Sequence, residues 1–136
     1  MTIAERQREL VERLAIIEDP QERLSALMSR AKTWPKPDAS LLTEANRVRG
    51  CQSRVWLAPE FVSGRCYFRM ECDAPMVKGL VALLCEVYEG ATPAEVRDFD
   101  ATIMDDLGFT RMISPTRLNG LAAVRARIRD FAAGRE

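Results

Sequence analysis

Residues 65–72 alternate without a break. Cys66, Phe68, Met70 and Cys72 fall on one side, and Arg65, Tyr67, Arg69 and Glu71 on the other. A period of two is that of a β-strand. One apolar and one charged face mean that the sheet takes helices on one side and water on the other. Ser63-Gly64 is a turn signal, and residues 53–62 supply the partner, so 53–72 is predicted as an antiparallel hairpin. The cover follows at once. Asp73-Ala74-Pro75 opens a helix running to about Glu89, with Val77, Leu80, Val81, Leu84 and Val87 as its stripe. Leu83 and Tyr88 widen that stripe until the helix belongs at the centre of a core. The predicted fold class is α+β, a small antiparallel β-sheet covered on one face by helices.

The remaining segments read as helices around this unit. Thr2 and Glu5 have the spacing of a capping box, followed by Leu10, Leu14 and Ile17 at helical intervals. Asp19-Pro20 starts a second helix with Leu24, Leu27, Met28 and Ala31 as its stripe. The short connection predicts a helical hairpin. Trp34-Pro35-Lys36-Pro37 ends that helix, and 34–50 reads as a long loop with a turn of helix at 41–45. Thr92-Pro93-Ala94-Glu95 is a second capping box, opening a short helix to about Phe99. Another short helix spans 101–107. Ser114-Pro115 caps the last helix, which runs to about Ala133 on Leu118, Leu121, Val124, Ile128 and Phe131.

Several function classes are excluded or disfavoured early. The chain has 136 residues, the length of one domain, and 1–136 is read as such. Twenty basic residues balance twenty acidic ones, which gives no reason to expect nucleic acid as a partner. The arginines of the last helix (Arg117, Arg125, Arg127 and Arg129) read as a solvated face. No apolar run reaches the ~20 residues of a membrane span, and no signal-peptide core stands at the N-terminus. A cytoplasmic location and reduced thiols are therefore expected. With no histidine in the chain, Ser-His-Asp and Cys-His catalysis and imidazole-bound zinc all fall away. The four cysteines, Cys51, Cys66, Cys72 and Cys85, contain no Cys-x-x-Cys pair, so no metal site is expected.

One stretch carries a candidate for chemistry: Arg49-Gly50-Cys51-Gln52-Ser53-Arg54-Val55-Trp56. Cys51 follows a glycine able to make a tight turn and lies where a long loop meets a strand. Arginines two residues before and three after it are expected to favour the thiolate, the nucleophilic form. A buried structural thiol is the competing reading for this position. Cys66, Cys72 and Cys85 sit within apolar patterns and read as core.

These residues resemble a known family. Gly50-Cys51-Gln52-Ser53-x-Val55-Trp56-Leu57 is similar to the signature of the SufE family of sulfur-acceptor proteins, which includes the CsdE branch. Asp73-Ala74-x-Met76-Val77-Lys78-Gly79-Leu80, Thr92-Pro93-x-Glu95-Val96 with Phe99-Asp100, and Ser114-Pro115-Thr116-Arg117-x-Asn119-Gly120-Leu121 resemble the blocks that follow, in family order. The likeness runs from about Val48 to the C-terminus. One departure is clear. Many relatives carry a histidine shortly before the last block, where this chain has Thr110-Arg111-Met112-Ile113.

The resemblance implies a SufE/IscU-like fold and a sulfur-acceptor role without stand-alone enzyme activity. A cysteine desulfurase of the SufS or CsdA kind, carrying its own pyridoxal phosphate, would hold sulfur as a persulfide. Cys51 would accept that sulfur, stimulate the desulfurase, and pass sulfur to an iron–sulfur scaffold complex of the SufBCD kind. No cofactor of the chain's own is implied. Gly50 would hinge the loop, and Gln52 belongs to the same block. Asp73 matches a family aspartate near the cysteine loop, and Arg117 a family arginine at the start of the last helix, which would stabilise the Cys51 thiolate or contact the desulfurase; helix capping and solvation are their plainer readings. The alternative is a non-covalent scaffold or adaptor protein for cluster assembly.

Overall fold

A computed structural model of the chain describes residues 1–135. The fold is α+β. The hairpin consists of β1 (Val55–Val62) and β2 (Arg65–Cys72), paired antiparallel with Val55 opposite Cys72 and Val62 opposite Arg65. Ser63 and Gly64 both take positive φ, giving the two-residue turn whose twist suits a hairpin. Cys66, Phe68, Met70 and Cys72 are buried, as the alternation predicts. Val55 and Leu57 join them from β1. The opposite face carries Glu60, Arg65, Arg69 and Glu71 beside partly exposed Trp56 and Tyr67, with Ala58 its only buried residue.

α3 (Pro75–Tyr88) lies on the apolar face of β2 and forms the centre of the core. Leu80, Val81, Cys85, Val87 and Tyr88 are all fully buried. Tyr88 resolves its polar end by donating its hydroxyl to the Phe99 carbonyl at 2.7 Å. α2 (Pro20–Ala31) packs along α3, and α6 (Pro115–Ala133) reaches α3, β1 and the short α4 (Pro93–Asp98). α5 (Ile103–Asp106) closes the far end with a 3-10 turn at Phe109–Arg111. Phe68 and Phe131 meet edge to face, with ring centres 6.1 Å apart, and tie β2 to α6.

A two-stranded sheet leaves two edges to protect. On β2 the outer edge is largely covered. Cys66 exchanges backbone hydrogen bonds with Gly90 and Ala91, the Glu89 carboxylate accepts the Phe68 N–H at 2.7 Å, and the Trp34 indole donates to the Phe68 carbonyl. Burial pushes the Glu89 carboxyl above its ordinary range, against the Phe68 N–H and Arg6, which pull it down. On β1 the Val55 carbonyl accepts from Val48 outside the ladder, so odd-numbered residues face the free edge. Pro59 has that parity, and its missing N–H removes one donor from the edge.

Four expectations are corrected. α1 (Ile3–Ala15) and α2 do not form a self-packed hairpin; α1 rests on α3 and α5 while α2 follows α3. Ile17 lies beyond α1, and Ile3 completes the buried stripe with Leu10 and Leu14. The Thr2 capping box is half made. The Thr2 hydroxyl accepts the Glu5 N–H but donates to the Glu5 carboxylate, whereas the Thr92–Glu95 box has both of its backbone bonds. The last helix is not a uniformly solvated basic face, because Arg125 is largely buried over the Tyr88 ring, 4.8 Å from its centre.

Candidate functional site

The long loop is more ordered than its composition suggests. Two 3-10 turns, Ala39–Leu41 and Glu44–Asn46, shorten it, and Asn46 donates to the Leu41 carbonyl. Arg47 then bridges to Trp56, and buried Val48 donates to Val55 at 2.8 Å. The chain is thereby held against β1 until Arg49. Gly50 follows with φ of 90°, which a residue with a side chain adopts only at a cost. Its backbone lies close to α6, where an added Cβ would stand 3.3 Å from the Ala123 Cβ. This turn delivers Cys51 to the surface of α6.

Cys51 is half-buried, whereas Cys66, Cys72 and Cys85 are buried. Its thiol donates to the Gly120 carbonyl at 3.3 Å. An added Cβ on Gly120 would sit 3.3 Å from that sulfur, so the contact depends on the absent side chain. Cys51, Gln52 and Ser53 line a pocket of about 60 Å³ with Val77 and Val81 of α3 and Thr116, Arg117 and Gly120 of α6. The pocket thus offers an apolar wall from α3 and a polar rim from the start of α6.

Electrostatics at the sulfur differ from the expectation. Burial pushes the Cys51 thiol above its ordinary value, and no cation opposes that shift. The flanking arginines are engaged elsewhere. Arg49 is 78% exposed and reaches Glu44, while Arg54 pairs with Asp73 and lies over Trp56. The bond to Gly120 adds to the effect, because only the neutral thiol can donate it. At rest the site therefore stores Cys51 as a thiol.

The pocket brings together Cys51, Gln52 and Arg117, while Gly50 lies outside its lining, against Ala123. Asp73 is not part of it. Asp73 accepts both the backbone N–H and the Nε of Arg54, each at 3.0 Å, and returns its own N–H to the Arg54 carbonyl. The side-chain hydrogen bond from Arg54 is the main reason its carboxyl falls below the ordinary range. Nor does Asp73 cap α3, whose cap is Ala74 without a side-chain bond. Its place is the seam where the loop rejoins the hairpin. It lines a separate groove of about 490 Å³ with Cys72, Lys32 and Lys78.

Arg117 directs one guanidinium nitrogen to the Met76 sulfur at 3.4 Å and has no carboxylate partner among the described residues. The helix cap beneath it is made by Ser114. Among the described residues no group of three or more His, Cys, Asp or Glu is placed to hold a metal ion. None of the described helices is long and apolar enough to cross a membrane. Sequence reasoning missed Gly120 as the seat of the thiol. The available signal was a glycine inside a helix, which costs roughly 1 kcal/mol against alanine and so asks for a reason.

The chain is similar to several known proteins. The family model SufE, described as an Fe-S metabolism associated domain, matches residues 8–132. A SufE-like protein of Synechocystis is 32% identical over 111 residues, covering 82% of this chain and 70% of that protein. One from Rhizobium meliloti is 29% identical over 132 residues, covering 93% and 94%. A stretch making up 19% of the chloroplastic quinolinate synthase of Nicotiana tabacum is 32% identical to 93% of this chain. A solution structure of a hypothetical protein from Thermus thermophilus superposes with a TM-score of 0.78 at 24% identity, covering 95% of this chain and 94% of that one, and shares the fold.

Proposed function

The chain belongs to the SufE family, and from that premise we propose that Cys51 accepts sulfur from a cysteine desulfurase of the SufS or CsdA kind. By removing that sulfur it stimulates the desulfurase, and it then passes the sulfur to an iron–sulfur scaffold complex of the SufBCD kind. The observation that carries this reading is the contrast among the thiols: Cys51 alone is half-buried, on a glycine-hinged loop over a small pocket.

The reaction is a thiol–disulfide type exchange. The Cys51 thiolate attacks the outer sulfur of the desulfurase persulfide. The donor's sulfur–sulfur bond breaks as a new one forms on Cys51, and the donor cysteine leaves as a thiolate. No net oxidation occurs, and the proton lost by Cys51 balances the one the donor regains. The pyridoxal phosphate that generates the persulfide belongs to the desulfurase. This chain supplies the acceptor sulfur, the pocket that shields the labile terminal sulfur, and at the rim Arg117, a cation with no carboxylate partner among the described residues. Because docked Cys51 is held as a thiol, leaving the Gly120 carbonyl for a more polar setting is what activates it.

The test is incubation with a cysteine desulfurase and free cysteine without reductant, followed by intact mass and peptide mapping. Added sulfur on the Cys51 peptide, dependent on the desulfurase, is the expected result. Cys51→Ser is expected to take up none and to lose stimulation of the desulfurase. A Cys51→Ser protein that still stimulated fully would instead be a non-covalent adaptor.

A further inference from the structure

Three positions on one face of α6 touch the loop that carries Cys51. Gly120 receives the thiol, Ala123 lies against Gly50, and Arg127 reaches the chain just before them. Their spacing of three and four residues places them in line along the helix. The first two are small and let the loop backbone come close. The third is a long side chain that donates to two backbone carbonyls, Arg47 at 3.0 Å and Ala45 at 2.8 Å.

Arg127 has no carboxylate partner among the described residues, unlike Arg125 and Arg129, which share Asp100. Its guanidinium is spent on main-chain oxygens. Those oxygens belong to the segment that bridges to β1 through Arg47 and Val48. A planar fork can span two carbonyls at once, whereas a lysine ammonium acts from a single point.

We infer that Arg127 is a positioning residue for the sulfur-acceptor loop: by fixing residues 45–48 on α6 it seats Cys51 over the Gly120 carbonyl and confines loop motion to residues 49–53. The far boundary of that segment is the Arg54–Asp73 pair. The inference rests on the sulfur-acceptor reading for its purpose, but the clamp itself is a property of the isolated protein. Releasing the clamp lets the loop lift before any partner has docked. Cys51 then leaves its half-buried seat, and a sulfur carried there loses its shelter.

The experiment is the pH profile of Cys51 alkylation by iodoacetamide in the intact protein, followed by peptide mapping for the wild type, Arg127→Ala and Arg127→Lys. Urea unfolding is run in parallel. In Arg127→Ala the midpoint is expected to move down toward that of an ordinary thiol. The rate at neutral pH then rises roughly three- to tenfold, the gain in thiolate when burial is partly relieved. Arg127→Lys is expected to fall nearer to alanine than to wild type. Cys66 and Cys85 should stay protected in both. An unchanged profile in both folded variants overturns the inference, as does equal deprotection of all the cysteines, which marks general loosening. Desulfurase loading is scored separately on the wild type. A shifted profile without loading would leave the clamp standing and remove the acceptor reading, and loading with an unshifted profile would do the reverse.

Discussion

Cys85 and Cys51 sit in regions held together in opposite ways. Cys85 is fully buried inside α3, and burial drives its thiol far above the ordinary range. Its neighbours Val81 and Tyr88 are also fully buried, so the region is fixed by packing that no single polar contact controls. Cys51 rests on one hydrogen bond to a helix carbonyl, between a positive-φ glycine and an exposed ion pair. Such a segment opens locally at far lower free energy than a core does. The comparison teaches that the candidate acceptor sits where the chain is held by separable contacts, beside a core held by packing.

The strongest way to test that separation is to weaken the frame alone. Phe68 is fully buried on β2 against Phe131, and its backbone hydrogen bonds at the sheet edge go to the Trp34 and Glu89 side chains, not to residues 49–53. Phe68→Ala is expected to cost about 3–5 kcal/mol, the usual range for removing a buried aromatic ring. Urea unfolding reads that loss. Below the transition, the alkylation profile of Cys51 should match wild type. A profile that moved with the loss of stability would mean loop and core are one cooperative unit, and the comparison would break.

A smaller effect on stability comes from Gly50. Gly50→Ala forces a side chain into left-handed backbone, which costs about 1–2 kcal/mol, and brings its Cβ to 3.3 Å from that of Ala123. The loop can escape both penalties by lifting away from α6. The expected readout is faster Cys51 alkylation with only a modest shift of the urea midpoint. If the midpoint fell while Cys51 kept its wild-type reactivity, the strain would be absorbed elsewhere and Gly50 would not be a hinge.

How much of this was legible in the sequence follows from which forces were at work. The alternation of 65–72 and the breadth of the α3 stripe are burial patterns, and both the hairpin and its covering helix follow from them. Cys51 was legible as a candidate because glycine before it and polar residues after it break any apolar pattern. Its electrostatics were not. Arg49 and Arg54 are near in sequence, but their charges go to Glu44 and Asp73, and that pairing is set by tertiary structure. Arg127 was read as solvated for the same reason: its partners are main-chain carbonyls some eighty positions away, and carbonyls leave no mark on a sequence. The packing of α1 on α3 and α5 more than on α2 is likewise set by tertiary contacts that its stripe does not name.

The finest test separates stability from site geometry at one atom. Gly120 lies inside α6, where glycine weakens a helix by about 0.5–1 kcal/mol relative to alanine. Gly120→Ala should therefore hold or slightly raise the urea midpoint. The added Cβ stands 3.3 Å from the Cys51 sulfur, closer than such contacts normally run, so the thiol must shift by a few tenths of an ångström. That shift lengthens its bond to the Gly120 carbonyl, a bond open only to the protonated form. Weakening it favours the thiolate, so the alkylation midpoint should move down while the protein becomes no less stable. A general loosening of the fold predicts instead that reactivity rises only as stability falls. Greater stability together with a more reactive Cys51 would show that Gly120 is kept for the sulfur above it and not for the helix that contains it.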